Sequence, residues 1–249
     1  MANKISVTIL TKNSSKYIKE CLQALEKFNE VIVLDNGSTD ETMKIAKTFK
    51  NVKIYENEFI GFGPLKNLAI LYTTNDWVLS VDSDEIFSSE LVDEIISLDL
   101  EDQKVYSILR DNYYNGKLIQ CCGWNDDWVN RLFNKNSTKF NEKKVHESIV
   151  LDNFQLEKLQ STFKHYSFDN AAQLLQKMDK YSTLYAQENQ GKKTSSPSKA
   201  FSRALFSFIK NYFFQKGFLY GYEGLIIAIS NANGVFYKYS KLYEENKAR

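Results

Sequence analysis

The sequence predicts an α/β protein, a mixed sheet flanked by helices that is parallel in its first half, with a helical C-terminal extension. Three observations predict it. Short apolar, β-branched runs alternate with segments of helical spacing through the first hundred residues. Between about 104 and 168 the texture changes to aromatic, strand-like pieces, and from 170 helical spacing returns. Strands of nearly continuous apolar residues joined by helices imply parallel pairing with both faces covered.

Ile5 to Leu10 is the first apolar run, and Lys16 to Phe28 follows with Tyr17, Ile18, Cys21, Leu22, Leu25 and Phe28 at helical spacing. Val31 to Leu34 is the second strand. A helix fits Ser38 to Phe49, with Ser38 or Asp40 as its cap and Met43, Ile45, Ala46 and Phe49 for burial. Val52 to Tyr55 is the third strand, Leu65 to Tyr72 a helix after Pro64, and Trp77 to Val81 a fourth strand running into Asp82, Asp84 and Glu85. The later strand-like pieces are Val105 to Leu109, Asn130 to Phe133 and Leu159 to Tyr166. Residues 170 to 188 carry Leu174, Leu175, Met178, Tyr181 and Leu184 at helical spacing, GKKTSSPSK reads as a loop, and the tail resumes as helix. The expected domains are 1–168, in halves 1–100 and 101–168, and a helical extension 169–249.

The 249 residues leave ample volume for a buried core, and 43% hydrophobic content excludes a disordered chain. A net charge of +1 gives no global nucleic-acid footprint. The charge is uneven, however. Lys192 to Arg249 holds ten Lys or Arg against three acids, a local +7 that leaves −6 elsewhere. Between Lys199 and Lys216 lie four cations, no acids and eight large apolar residues from Phe201 to Phe214. Such a helix can lie on an anionic membrane surface, or pack on the core with a solvated basic face. Cys21, Cys121 and Cys122 form no CxxC pair and read as a reducing compartment. The N-terminus shows no charged leader with an apolar stretch, and no window reaches the roughly 20 apolar residues of a spanning helix. A cytosolic chain is expected.

Four segments carry candidate chemistry. VDSDE at 81–85 sets two carboxylates one residue apart after a buried strand, where oxygen ligands suit Mg²⁺ or Mn²⁺ and the metal can neutralise a diphosphate. Such a pair is more often a solvated turn, but ligands bind beyond the carboxyl ends of parallel strands, where this one falls. VIVLDNGSTDET at 31–42 ends a strand in Asp35 and Asn36, apt for a nucleobase or ribose, with Thr11 ending the neighbouring strand; an Asx turn and helix cap is compatible with that role. GFGPLKN at 61–67 permits close backbone approach and aims Lys66 at phosphate, without the pattern of a phosphate loop. GWNDDWVNRLF at 123–133 sets Asp126 and Asp127 between tryptophans, where a shielded carboxylate gains the basicity of a general base; the plainer reading is core tryptophans around an acidic turn, with Arg131 paired to Asp127. The two histidines, His146 in KVHESI and His165 in FKHYS, fit no zinc-helix spacing, though either could complete a carboxylate-built metal site.

In this order, SVTILTKN, VIVLDNGSTDET and VDSDE resemble the opening strand, nucleotide-contacting strand end and acidic metal motif of the family 2 glycosyltransferases, which have the GT-A fold. GFGPLKN, DWVLSVDSDE, GWNDDWVNRLFNK, KVHESI, FKHYS, GFLYGYEG and YKYSKLYEE resemble bacterial lipopolysaccharide core enzymes that add a hexose, often glucose, to inner-core heptose. The resemblance covers nearly the whole chain. It implies a UDP-sugar donor, a divalent metal, inversion at the anomeric carbon, a lipid-linked core oligosaccharide acceptor, and a cytoplasmic protein attached peripherally through its tail to the cytoplasmic face of the inner membrane.

Residue by residue, the resemblance places Thr11, Asp35 and Asn36 at the uridine, Lys66 near the nucleotide, Asp82 and Ser83 at ribose or metal, and Asp84 on the diphosphate metal, with His146 or His165 as a further ligand. It places Asp127 as the base, Arg131 at the departing phosphate charge, and Trp124, Asp126 and Glu147 at the acceptor. Asn36 and Asp126 depart from the family pattern, which has a second aspartate and a proline there. Two rivals share the scaffold. A sugar nucleotidyltransferase would carry a glycine-rich, basic N-terminal phosphate loop, which is not found. A non-catalytic carbohydrate-binding protein would not need the set Asp35, Asp82, Asp84 and Asp127.

Overall fold

In the computed structural model, which describes residues 4–143 and 147–248, the chain divides into two compact units. One comprises Met1–Asp111 and Asp127–His165, the other Asn112–Asp126 and Tyr166–Arg249. The sequence places a single boundary at 168/169; the structure has the chain pass between units at 111/112, 126/127 and 165/166.

The first unit opens with β1 (Ile5–Thr11), α1 (Ile18–Ala24), β2 (Val31–Asp35), α2 (Thr42–Ala46), β3 (Val52–Glu56), α3 (Phe62–Leu71) and β4 (Trp77–Asp82). Then follow β5 (Glu85–Phe87), α4 (Ser89–Ser97), β6 (Lys104–Tyr114), β8 (Trp128–Asn134) and β9 (Gln155–Phe168), while β7 (Lys117–Leu118), between β6 and β8 in the chain, belongs to the other unit. The strand order is β3-β2-β1-β4-β8-β6-β9-β5. β1 lies parallel between β2 and β4, and β8 turns the sheet antiparallel beside β4. The fold is therefore the mixed α/β sheet expected. β2 is buried along its whole length and β1 and β4 nearly so, as their unbroken apolar sequences require.

Register matters more than the strands themselves. Thr11 pairs with Asp35, Asp35 with Glu56, and Leu10 with Asp82, so the polar carboxyl ends of four parallel strands finish side by side.

The helices differ from expectation at their ends. α1 and α2 are shorter than the 16–28 and 38–49 spans, because turns rather than helix flank them. α2 has Glu41 at its cap position, with no side-chain cap, while Asp40 receives the N–H and hydroxyl of Thr42. α3 begins before Pro64, which sits in its first turn where no N–H is needed. Gly63 there lies so close to the 141–143 segment that a Cβ would run into the Asn141 carbonyl. β5 and α4 were not anticipated. α4 starts at Ser88, whose Oγ accepts the Leu91 N–H at 3.1 Å, and buries Leu91, Val92 and Ile95.

In the second unit, Tyr113 and Tyr114 at the end of β6 pair with Leu118 and Lys117 of β7. Then come α5 (Ala171–Asn189), α6 (Pro197–Ile209), a π turn (Lys210–Phe214), a 3₁₀ turn (Gly217–Tyr220) and α7 (Gly221–Lys247). Residues 112–126 belong with these helices because Tyr114, Ile119, Cys121 and Cys122 bury with Leu174, Ile227 and Ala228. The three cysteines are buried free thiols. Gly224 packs directly on Gly217, and a Cβ would strike the Gly217 carbonyl. No helix among the described residues is long and apolar enough to cross a membrane.

At the opposite end of the parallel strands, Glu30 receives Ser6 Oγ at 2.5 Å, the Thr74 N–H at 2.8 Å and Lys53 Nζ at 2.8 Å. Burial works against its charge, but these partners outweigh it and lower its pKa from 4.5 to about 2. Because the folded pKa is depressed, the stabilisation is present above the unfolded value and fades as pH falls from about 4.5 toward 2. Glu30→Gln should therefore cost about 2 kcal/mol at neutral pH and much less near pH 2, read by denaturant unfolding of both proteins at each pH.

Candidate active site

β4 ends at Asp82 and the chain turns at once into β5, a turn closed by the Asp82 N–H donating to Glu85 Oε2 at 3.0 Å. Asp82 then faces two cations. Its Oδ1 lies 3.1 Å from Lys66 Nζ and its Oδ2 2.7 Å from Arg131 Nη2. The same Arg131 nitrogen contacts Glu85 Oε1, and Lys66 reaches Glu147 Oε1 at 3.0 Å. Lys66 and Arg131 are about 5% exposed and the Glu85 side chain is fully enclosed.

Burial drives the Asp82 carboxyl upward, but Arg131 and Lys66 outweigh it and hold it well below the usual carboxylate range. Glu85 is displaced the other way, since burial raises it further than Arg131 lowers it. Arg131, though burial opposes its charge, is held more firmly protonated by Asp82 and Glu85. Its Nε is buried without a partner, while its guanidinium stands 6.0 Å over the Phe163 ring.

Arg131 does not pair with Asp127. Four residues along a strand span about 13 Å, so spacing that joins charges on a helix separates them here. Asp127 pairs instead with Arg110 of β6, whose Nε and Nη2 reach its Oδ2 at 2.9 and 2.8 Å, while the Arg110 N–H donates to the Asp127 carbonyl at 2.9 Å. Arg110 Nη1 stands 3.9 Å from Glu85 Oε1, which links Asp127 to the cluster under β4. The setting of Asp127 is thus ionic on its Arg110 side. The Trp128 ring carries Lys158 at 4.3 Å.

Asp84 is partly exposed on the β4–β5 turn, and its Oδ2 lies 3.6 Å from His165 Nε2, brought there because β9 pairs His165 with Glu85. His146 lies outside the described residues. Among the described residues no group of three or more His, Cys, Asp or Glu is placed to hold a metal.

Around the ends of β1 and β2, Asp35 is buried and accepts the Gly37 N–H, the Ser38 N–H and the Ser38 hydroxyl at 3.0, 2.8 and 2.5 Å. These three bonds shape its own turn. Neighbouring loops are fastened together: the Asn13 N–H donates to Ser38 Oγ, Ser14 N–H to Thr42 Oγ1, Ser15 N–H to Asp40 Oδ2, and Ser83 Oγ meets Ser14 Oγ at 2.7 Å. Asn36 donates to the Asn57 carbonyl, and Thr11 Oγ1 is buried without a partner. In the second unit, Trp124 packs on Phe168 at 5.8 Å and Asp126 is exposed with φ 55°, receiving Asn125.

The first unit therefore brings together Lys66, Asp82, Asp84, Asp127, Arg131, Glu147 and His165. The sequence reading missed Glu85 as a buried member and Arg110 altogether. Glu85 was visible within VDSDE; Arg110 left no signal, since its partner is 17 residues away on another strand.

Residues 6–150 match the model of the family described as glycosyl transferase family 2, and the chain belongs to that family. It is 32% identical over 260 residues to an uncharacterised glycosyltransferase of Rickettsia prowazekii, covering 96% of this chain and 86% of that one. It is 25% identical over 263 residues to the lipopolysaccharide core biosynthesis glycosyltransferase LpsC of Rhizobium meliloti, covering 98% and 94%. The S. aureus TarS fragment 1–349, solved with UDP, superposes with a TM-score of 0.50 at 16% identity, over 98% of this chain and 92% of that chain. The protein is a glycosyltransferase with the GT-A fold.

Arg131→Met leaves Glu85 enclosed without its cation and should cost about 3 kcal/mol in urea unfolding, part of which Glu85→Gln in the same background should restore.

Proposed function

We propose that this glycosyltransferase inverts the anomeric carbon as it moves a hexose, glucose from UDP-glucose, onto a heptose of the lipopolysaccharide or lipooligosaccharide inner core. The acceptor is lipid-linked and met at the cytoplasmic face of the inner membrane. The observation that carries the reading is the linkage of Asp127, through Arg110 and Glu85, to the Asp82–Asp84 turn at the carboxyl ends of the parallel strands. The likeness to LpsC supports core biosynthesis as the setting.

On this reading the nucleotide lies against the loops after β1 and β2. Thr11 Oγ1 offers a hydrogen bond made to nothing else, and Asp35 has one of about four acceptor positions left. Lys66 brings a fixed positive charge toward the diphosphate from beside Asp82 and Glu147. Asp84 and His165 fit a divalent cation: an exposed carboxylate and an imidazole nitrogen 3.6 Å apart can share one ion whose other ligands are phosphate oxygens. The excess of carboxylates over permanent cations around the β4–β5 turn favours a bound cation. When bound, Mg²⁺ or Mn²⁺ would offset the charge of the leaving diphosphate.

Asp127 takes the proton of the acceptor hydroxyl while that oxygen attacks the anomeric carbon from the face opposite the diphosphate, whose bond to the sugar breaks. Arg110 fixes the orientation of that carboxylate by holding Oδ2. Arg131, being buried and committed to Asp82 and Glu85, acts as a positioning residue for the turn rather than as a contact to phosphate. Trp124, Asp126 and Glu147 remain the candidates for acceptor contact.

A panel of UDP-sugars offered with heptose-containing acceptors, with the linkage determined, tests donor and acceptor together. Asp127→Asn should lower turnover by about 10²- to 10⁴-fold with UDP binding unchanged, and a fully active variant would remove Asp127 from the base role. Asp84→Ala should weaken UDP binding in Mn²⁺ while leaving metal-free binding alone, measured by calorimetry with and without the ion.

A further inference from the structure

We propose that the α6–α7 region of the second unit is a docking surface for an anionic phospholipid leaflet, with a cationic cleft that takes a headgroup phosphate. The proposal deepens the reading above, on which a lipid-linked acceptor brings the enzyme to a bilayer.

The helical wheel of α6 sets the pattern. Phe201, Leu205 and Ile209 recur at four-residue spacing on one stripe, Phe206 stands beside them, and all four are exposed, at 64, 49, 37 and 62%. Ala200 is the side chain this helix buries fully. Further exposed apolar side chains follow along the chain: Phe213 and Phe214 in the π turn, Phe218 and Leu219 in the 3₁₀ turn, then Tyr222 and Leu225 on α7. Phe214 is 77% and Leu219 64% exposed. Exposed apolar side chains this dense along a helix and two irregular turns mark an interaction surface rather than scattered surface residues.

Its charge selects the occupant. Lys199, Arg203, Lys210 and Lys216 punctuate the stretch, and no acid occurs from Lys199 to Lys216. Arg203 and Lys210 border the apolar arc of α6 and, with Lys238 of α7, line an open cleft of about 380 Å³ that also presents Ser207, Asn211 and Gln215. The cleft lining contains no carboxylate. Glu223, the nearest acid in sequence on α7, is already taken by Lys117 at 2.9 Å. Among the described residues, no ion pair joins Arg203, Lys210 or Lys238 to an acid. Cations without an acid partner beside exposed aromatics, Lys238 resting over the Tyr185 ring at 4.6 Å, match a surface that is anionic at the headgroup and apolar beneath it. A second copy of the chain fits poorly, because a two-fold contact would set the same cations against one another.

Flotation of the full chain with vesicles of equal parts phosphatidylglycerol and phosphatidylcholine, against phosphatidylcholine alone, tests the surface. Binding to the anionic vesicles should be stronger and should fall with added salt. Replacing Arg203, Lys210 and Lys238 together by Gln should weaken it about a hundredfold, near fivefold for each cation. Phe214→Ser with Leu219→Ser should weaken it at least about tenfold while keeping the salt dependence. All these side chains are half-exposed or surface-facing, and circular dichroism would show the variants folded. Wild-type indifference to anionic lipid overturns the proposal. So does variant binding equal to wild type, or a dimer in solution that Phe214→Ser with Leu219→Ser dissolves. Transfer to a delipidated acceptor fragment should be unaltered in every variant. Lost vesicle binding with intact transfer isolates the docking surface, whereas vesicle binding without transfer to any heptose acceptor strikes at the enzymatic reading alone.

Discussion

Arg131 carries a permanent positive charge into a largely enclosed place, and the groups around β4 are arranged to answer it. Asp82 and Glu85 supply the charge, Phe163 supplies a ring face, and the backbone N–H of Asp82 ties the Glu85 carboxylate into the turn. Desolvating three ions is expensive and their mutual attraction only roughly repays it, so the cluster is better understood as a device for fixing geometry than as a source of stability. It holds the β4–β5 turn in one shape, and that turn is where Ser83 and Asp84 project. Lys66 extends the same network to Glu147, and Arg110 extends it to Asp127. Side chains from α3, β4, β5, β6 and β8 are thereby held to one pattern of alternating charge.

The parallel half of the fold was legible because its strands are buried on both faces and so are written in unbroken apolar residues, as in Val31 to Leu34. Helix ends were less legible, since the apolar spacing of 16–28 and 38–49 continues through turns that bury side chains without helical bonding. β5 has no strand signature of its own because its residues overlap an acidic motif, and the cap and amphipathic run of α4 follow that motif directly. The site was legible wherever a motif sits at a strand end. It was not legible where it depends on pairing across strands: Arg110 meets Asp127 only because β6 and β8 are neighbours, and the alternative pairing of Arg131 with Asp127 gives way to Asp82 and Glu85.

The hydroxyl-rich stretches TKNSS and NGSTDET make physical sense as fasteners. Each supplies donors and acceptors to the other, so two loops that the sheet merely sets side by side become one bonded surface. At Asp35 a structural role leaves room for the proposed ligand-facing one: three of its acceptor positions hold the turn, and the turn keeps the rest of the group in place at the end of β2.

The interleaving of the two units bears on how this enzyme can vary. Residues 112–126 bury Tyr114, Ile119, Cys121 and Cys122 against the C-terminal helices, and the very next residue is Asp127. A gene shortened after β9, or given a foreign tail, would strip the cover from that insertion and leave four apolar side chains bare immediately upstream of the proposed base. The helical portion is thus not an exchangeable cassette, and recombination between relatives is constrained to carry the 112–126 insertion and its helices together.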